Sequence, residues 1–102
     1  MKTRTDFDAE LRDLIGSTNV YFQPPESIKL KYPCIVYKLT NEDIKRADNR
    51  AYLRTNCYDV TIISKNPDYP LFDEIIERFP MCRMGSFFTY DNLNHHNYTI
   101  YY

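Results

Sequence analysis

The residues with the most obvious capacity for chemistry lie together near the end of this 102-residue chain. His95 and His96 come shortly after Asp91 and Asn94, and imidazole beside carboxylate can bind a metal ion or transfer a proton. Adjacent residues of an extended segment point to opposite sides, whereas metal ligands usually converge from separate elements. We therefore expect the two histidines to make turn or interface contacts, and we expect no metal ion and no cofactor.

Other patterns that carry chemistry are missing from the sequence. No cysteine has a histidine at motif spacing, the two glycines are too few for a phosphate-binding loop, and no serine has the context of a nucleophile elbow. The three cysteines, Cys34, Cys57 and Cys82, lie in apolar runs, which is typical of reduced core residues. The sequence thus indicates a protein that is not an enzyme, although an enzyme with an unrecognised site stays open as an alternative.

Composition excludes several classes of protein. A net charge of -1 argues against a protein whose main affinity comes from neutralising phosphates. No apolar run approaches the ~20 residues of a membrane span, so we expect no membrane association and a location in the cytosol. At this length one domain over residues 1–102 is expected, with a thin core.

Helix signals occur twice. Start and stop residues predict a first helix over residues 5–15, with Thr5 as its N-cap and Gly16 just past its end. The proline-rich break at residues 66–70 opens a second helix, and Pro80 ends it. Its apolar face is predicted to consist of Leu71, Phe72, Ile75, Ile76 and Phe79.

Runs of β-branched and aromatic residues predict five strands. They cover residues 20–22, 34–39, 52–64, 81–89 with a bend at Gly85, and 97–102. The polar stretch over 40–50 is expected to be an exposed hairpin loop or finger, and residues 91–97 a turn. The order α-β-β-β-α-β-β predicts a two-layer α+β fold, an antiparallel or mixed β-sheet with both helices on one face.

Aromatic residues are more numerous than a thin core can hide, with 10 tyrosines and 6 phenylalanines. In the last strand, alternation predicts that Tyr98, Ile100 and Tyr102 face the core while Thr99 and Tyr101 face outward. We therefore expect aromatic rings on the surface, which usually mark a contact with another protein.

Basic residues concentrate in the middle third of the chain, flanked by tyrosines, a pattern that can bind RNA. They are Lys29, Lys31, Lys38, Lys45, Arg46, Arg50 and Arg54. Because Glu42, Asp43 and Asp48 are interleaved with them, we favour an ordinary charged surface. The residues we expect at a protein interface are Lys45, Arg46, Asp48, Arg50, Tyr52, Arg54, His95, His96 and Tyr101.

Several motifs resemble the tail-terminator and head-tail neck proteins of long-tailed bacteriophages (siphophages). They are Tyr32-Pro33-Cys34-Ile35-Val36-Tyr37, the strand over residues 58–62, the break over 65–68, the turn over 91–95, and Tyr98-Thr99-Ile100-Tyr101-Tyr102. The resemblance spans most of the chain but contains no catalytic signature. It implies no individual functional residue.

The resemblance does imply a structural role in the virion. Subunits would form a homo-oligomeric ring, a hexamer, at the head-proximal end of the tail. The ring would stop polymerisation of the tail-tube protein and join the tail to the head-tail connector or stopper protein, with DNA only as cargo through the lumen. Assembly would take place in the host cytoplasm, and the mature location would be the tail or neck of the virion. A stopper or adaptor neck protein and a small RNA-binding regulatory domain are the alternatives.

Overall fold

The computed structural model describes residues 3–25, 27–47 and 50–102, with side-chain detail for these residues except 41–47 and 50–55. The helices and strands within them are α1 (Arg4–Ile15), β1 (Val20–Phe22), β2 (Cys34–Ala47), β3 (Arg50–Ser64), α2 (Leu71–Arg78), β4 (Cys82–Tyr90) and β5 (Leu93–Tyr101). This order and the α+β class are those predicted from the sequence. The fold prediction is confirmed.

The strands form one mixed sheet in the order β1-β2-β3-β5-β4. β1 and β2 pair in parallel, and every other neighbouring pair is antiparallel. Because β5 pairs with β3, it lies between β3 and β4, and β4 is placed at the edge of the sheet.

Both helices pack on one face of the sheet. Phe7 of α1 stacks on Tyr58 with ring centroids 4.3 Å apart, and Ile75 of α2 is completely buried. Tyr98 of β5 donates a hydrogen bond of 2.6 Å from its hydroxyl to the carbonyl oxygen of Phe72. Burial of each large side chain contributes about 1.5–3 kcal/mol, so this layer holds most of the stability of the fold.

The helix boundaries differ from the prediction at two points. The N-cap of α1 is Thr3 and not Thr5, because Asp6 lies three residues after Thr3 and the two residues form a reciprocal capping box. Gly16 closes α1 as predicted, with a φ of 72°. On α2, Ile76 is 40% exposed and does not share the buried face, since it lies 100° around the helix from the buried Ile75.

The polar stretch over residues 40–50 was predicted to be an exposed hairpin loop or finger, and over most of its length it is a paired two-stranded hairpin. β2 continues to Ala47 and β3 begins at Arg50, and the two strands pair up to Ala47 and Arg50 themselves. The charged composition of this stretch indicated exposure to solvent. The antiparallel pairing of β2 with β3 that begins in the core nevertheless continues into it. We call residues 41–47 and 50–55 the ribbon.

The predicted turn over residues 91–97 is much shorter in the structure. Only Asp91 and Asn92 form the turn, with positive φ angles of 53° and 61°. Such a two-residue turn matches the twist of a hairpin and tolerates Asp and Asn in the left-handed region. His95 and His96 therefore lie in β5 and not in a loop.

The second face of the sheet is only partly covered. A parallel β1–β2 pair needs a crossover connection, and in that connection Leu30 packs against the buried residues Cys34, Ile63 and Leu93. Burial raises the pKa of the Cys34 thiol to about 12, which suits a core residue. Among the described residues of this face outside the cluster, Lys38 and Phe88 are exposed.

Candidate protein-interaction surface

β4 forms an exposed apolar edge of the sheet. Its described backbone pairs with β5 on one side, and no described strand lies on its other side. Met84 is 49% exposed, Phe87 69%, Phe88 52% and Tyr90 72%. We call these four side chains and the free backbone of β4 the apolar edge.

Apart from a bulge between Met84 and Phe87, β4 lacks the features that usually protect an edge strand. Arg83 is the only charged residue between Cys82 and Tyr90, and this segment contains neither lysine nor proline. Natural edge strands are normally blunted by charges, prolines or a covering element, because free N–H and C=O groups invite pairing with another chain. Exposed apolar side chains beside free backbone groups are typical of a protein-interaction surface.

The two histidines of β5 support the aromatic rings of this edge. The ring of His95 stacks on Phe88 at 4.7 Å and 8°, and His96 lies 5.7 Å from Phe87. On its other side His96 stacks on Phe72 of α2, with centroids 3.7 Å apart. The histidines therefore position exposed aromatic rings, a role that the predicted interface contact of His95 and His96 did not specify.

His96 is also an electrostatically unusual group. Its Nδ1 atom is buried and makes no hydrogen bond to any described residue. Burial lowers the pKa of His96, while the negative charge of Asp73 acts in the opposite direction. The neutral imidazole is favoured, which suits a ring stacked between phenylalanines.

A bulge in β4 determines which aromatic residue of β4 lies opposite each histidine of β5. Met84 pairs with Tyr98, but the next paired residue is Phe87, opposite His96, so one extra residue is accommodated around Gly85. A Cβ atom at Gly85 would lie 2.7 Å from Oδ1 of Asn97, so a larger residue there would displace the Asn97 side chain, which hydrogen-bonds to Asp59 and Thr61. The predicted bend at Gly85 is therefore present, and it shifts the aromatic pair by one register position.

The remaining predicted interface residues lie in the ribbon or beside it. Lys45 and Arg46 belong to β2, and Arg50, Tyr52 and Arg54 belong to β3. Their side chains, and Asp48 altogether, lie outside the described residues. Tyr101 ends β5 with 36% of its side chain exposed and faces outward as predicted, while Tyr98 and Ile100 are buried.

The second face of the sheet offers a polar groove of about 590 Å³. Lys38 and Asp59 line it and form an ion pair of 3.9 Å, and Asn97 donates hydrogen bonds to Asp59 and Thr61. The charged groups of the groove therefore satisfy one another and are not directed at an absent ligand. This arrangement is typical of a polar contact surface.

Two further observations concern the part of the chain that the structure describes. No group of three or more His, Cys, Asp or Glu side chains converges as metal ligands would. None of the helices there has the length and apolar character needed to cross a membrane.

Sequence reasoning found the exposed aromatic residues but missed that β4 is the edge that carries them. The low charge of residues 82–90 was the available signal, since a nine-residue run with one charge is unusual for a surface strand.

Comparison with known proteins adds no identification: no family model matches the chain, and no curated protein matches it.

Proposed function

We propose that this protein is a structural subunit that forms a ring at the head-proximal end of a phage tail. In this role it ends polymerisation of the tail tube and joins the tail to the head connector. The apolar edge is the observation that carries the proposal, and the resemblance of the sequence to tail-terminator proteins supplies the biological setting.

An uncovered edge strand of this kind is prone to aggregation. A strand of nine residues with aromatic side chains and unpaired backbone groups promotes uncontrolled aggregation unless a defined partner covers it. A ring of identical subunits is one closed solution, because every apolar edge in it is covered and none remains free. Assembly also adds burial to a small domain, whose stability alone is on the order of 5–10 kcal/mol.

A terminator also needs surfaces that face the tail and the head. The second face of the sheet, with Lys38, Asp59 and Asn97, is suited to such contacts because its groups can exchange hydrogen bonds with a partner without exposing a core. The ribbon is a second projecting surface. The net charge of -1 is compatible with DNA passing through the ring without tight binding.

Addition of the purified protein to growing tail tubes tests this function. The tail-tube protein encoded in the same genome is polymerised with and without this protein, and tube ends are imaged by negative-stain electron microscopy. We expect a ring at one end of each tube and an arrest of elongation. Tubes that elongate unchanged, with uncapped ends, would contradict the proposal.

A variant with Phe87→Ser and Tyr90→Ser is the matched control. Both side chains are largely exposed, so the variant should fold but fail to cap tubes. Binding of the wild-type ring to the head connector with no effect on tube growth would instead assign the protein to the stopper or adaptor class.

A further inference from the structure

Head-to-tail contacts in a ring of identical subunits require two different surfaces on each subunit. We propose that the ribbon of one subunit pairs with the apolar edge of its neighbour, so that the β-sheet continues from subunit to subunit. This inference rests on the ring-forming part of the proposed function. It names the two halves of the subunit contact.

Two long strand edges among the described residues could pair with β4, namely β4 of a second copy and the ribbon. Pairing of β4 with β4 would give a two-fold dimer and no ring, so a ring needs a different partner for β4. β1 lies at the opposite edge of the sheet but has three residues, and it is followed by Gln23 with a φ of 45° and by Pro24 and Pro25. Proline has no N–H to donate, so pairing cannot extend along this edge. β1 is therefore too short to cover a strand of nine residues.

The ribbon has the required length and free backbone. β1 pairs with β2 only as far as Tyr37, and on the other side the pairing of β3 ends at Asn56, which exchanges two backbone hydrogen bonds with Tyr102. Beyond these points the outer edges of both ribbon strands have no described strand beside them. At ~3.3 Å per residue the ribbon projects by roughly 20 Å, which matches most of the length of β4.

The direction of the ribbon excludes the apolar edge of its own subunit as the partner. In that subunit β5 separates β3 from β4, and the ribbon continues along the strand axis away from the rest of the sheet. The long dimension of the molecule is 52 Å against 28 Å and 23 Å for the others. The ribbon can therefore reach a neighbour but cannot fold back onto its own β4.

Half of the backbone groups of β4 point away from β5 and are available for pairing. Tyr101 donates from its N–H to the carbonyl of Met81 at one end of the β4–β5 ladder, and Tyr90 and Leu93 flank the two-residue turn at the other. Alternation along an antiparallel ladder then directs the N–H groups of Phe87 and Thr89 outward. These N–H groups would donate hydrogen bonds to backbone carbonyl groups of the neighbour's ribbon, which would then form the next strand.

Site-specific photo-crosslinking tests the contact without disturbing the fold. A benzoylphenylalanine residue replaces Phe87, which is 69% exposed, and the assembled protein is irradiated, digested and mapped by mass spectrometry. We expect crosslinks from residue 87 to peptides within residues 39–56 of another subunit. The same probe at Ile28, which is 44% exposed in the β1–β2 connection, should not reach the ribbon. Crosslinks from residue 87 to residue 87, or to any segment other than the ribbon, would overturn the proposal.

Two variants then separate the halves of the contact. Thr89→Pro removes an outward N–H, with Thr89→Ala as its control. Replacement of residues 44–54 by Asn-Gly closes the hairpin between the paired Asp43 and Thr55. Each variant alone should be monomeric, and an equimolar mixture should form a one-to-one dimer, because one intact edge and one intact ribbon remain. If Thr89→Pro formed rings as stable as those of the wild type, or if the shortened chain alone formed a dimer, the contact between the ribbon and the apolar edge would be overturned. Neither result would contradict the proposed ring function. A wild-type protein that is monomeric at every concentration would remove the ring itself.

Discussion

His96 lies flat against Phe72, with ring centroids 3.7 Å apart and planes within 9°. Two residues further along β5, Tyr98 donates its hydroxyl hydrogen bond to the carbonyl of the same Phe72. One turn of α2 is thereby fixed by two side chains of β5. Since His96 also contacts Phe87, the position of the helix and the shape of the apolar edge are physically coupled.

The His96–Phe72 contact predicts a loss of stability in mild acid. Burial lowers the pKa of His96 below its ordinary value of 6.5, so the unfolded chain binds a proton more readily than the folded chain. The contribution of neutral His96 is complete above pH 6.5 and is lost as the pH falls through the lower pKa of the folded state. Denaturant unfolding at intervals from pH 7.5 to pH 5 should show a falling free energy of unfolding.

Matched variants isolate His96 from the other titrating groups. His96→Phe keeps an aromatic stack and should flatten the pH dependence, whereas His95→Phe should leave the decline in place. Although burial alone would raise the pKa of Asp8, hydrogen bonds from Tyr37 and Arg12 keep it below 3.8, outside this pH range. An unchanged pH slope in His96→Phe would show that the stacked histidine is not the cause.

Neighbouring isoleucines of α2 provide a direct test of the core. Ile75 is fully buried and Ile76 is 40% exposed. Ile75→Ala should therefore cost about 2–5 kcal/mol of unfolding free energy by opening a cavity, and Ile62→Ala, also fully buried, should cost a similar amount. Ile76→Ala should cost ~0.5 kcal/mol or less. Equal effects of Ile75→Ala and Ile76→Ala in urea denaturation would contradict the helix orientation.

The N-cap of α1 can be checked in the same assay. Thr3→Ala removes the side-chain acceptor of the Asp6 N–H and should destabilise the protein by ~1 kcal/mol. Thr5→Ala leaves the capping box between Thr3 and Asp6 in place and should have a smaller effect. The reverse order would restore Thr5 as the N-cap predicted from the sequence.

Charge reversal in the ribbon should affect assembly more than folding. We expect Lys45→Glu, Arg46→Glu and Arg50→Glu together to leave the thermal unfolding midpoint of the dilute protein within a few degrees of the parent. The same protein should assemble only at concentrations at least tenfold higher in sedimentation experiments. Loss of the folded state would instead place these side chains in the core.

Where the hydrophobic pattern is periodic, the sequence was sufficient to predict the helices and strands and which of their faces are buried. The alternation of Tyr58, Val60 and Ile62 and the spacing of Phe7 and Leu11 correctly predicted buried positions in the structure. Periodicity is a local property, and these segments bury one face against the same core.

The edge position of β4 could not be read from the sequence in the same way. It depends on β5 pairing with β3, a contact between residues 57–64 and 94–101 that no local pattern records. The sequence did not predict how far β2 and β3 extend into the ribbon. Charged and turn-forming residues indicate exposure to solvent, but exposed strands and exposed loops have a similar composition. The short turn at Asp91 and Asn92 was overestimated for the same reason.

Sedimentation equilibrium of the wild-type protein, over a hundredfold range of concentration, shows whether the protein assembles into a ring. Absorbance at 260 and 280 nm, recorded on the same samples, detects any bound nucleic acid. We expect a nucleic-acid-free species of about six times the 12.3 kDa chain mass that forms as the concentration rises. A monomer at every concentration would contradict self-assembly through the apolar edge, and a monomer bound to RNA would favour the RNA-binding alternative.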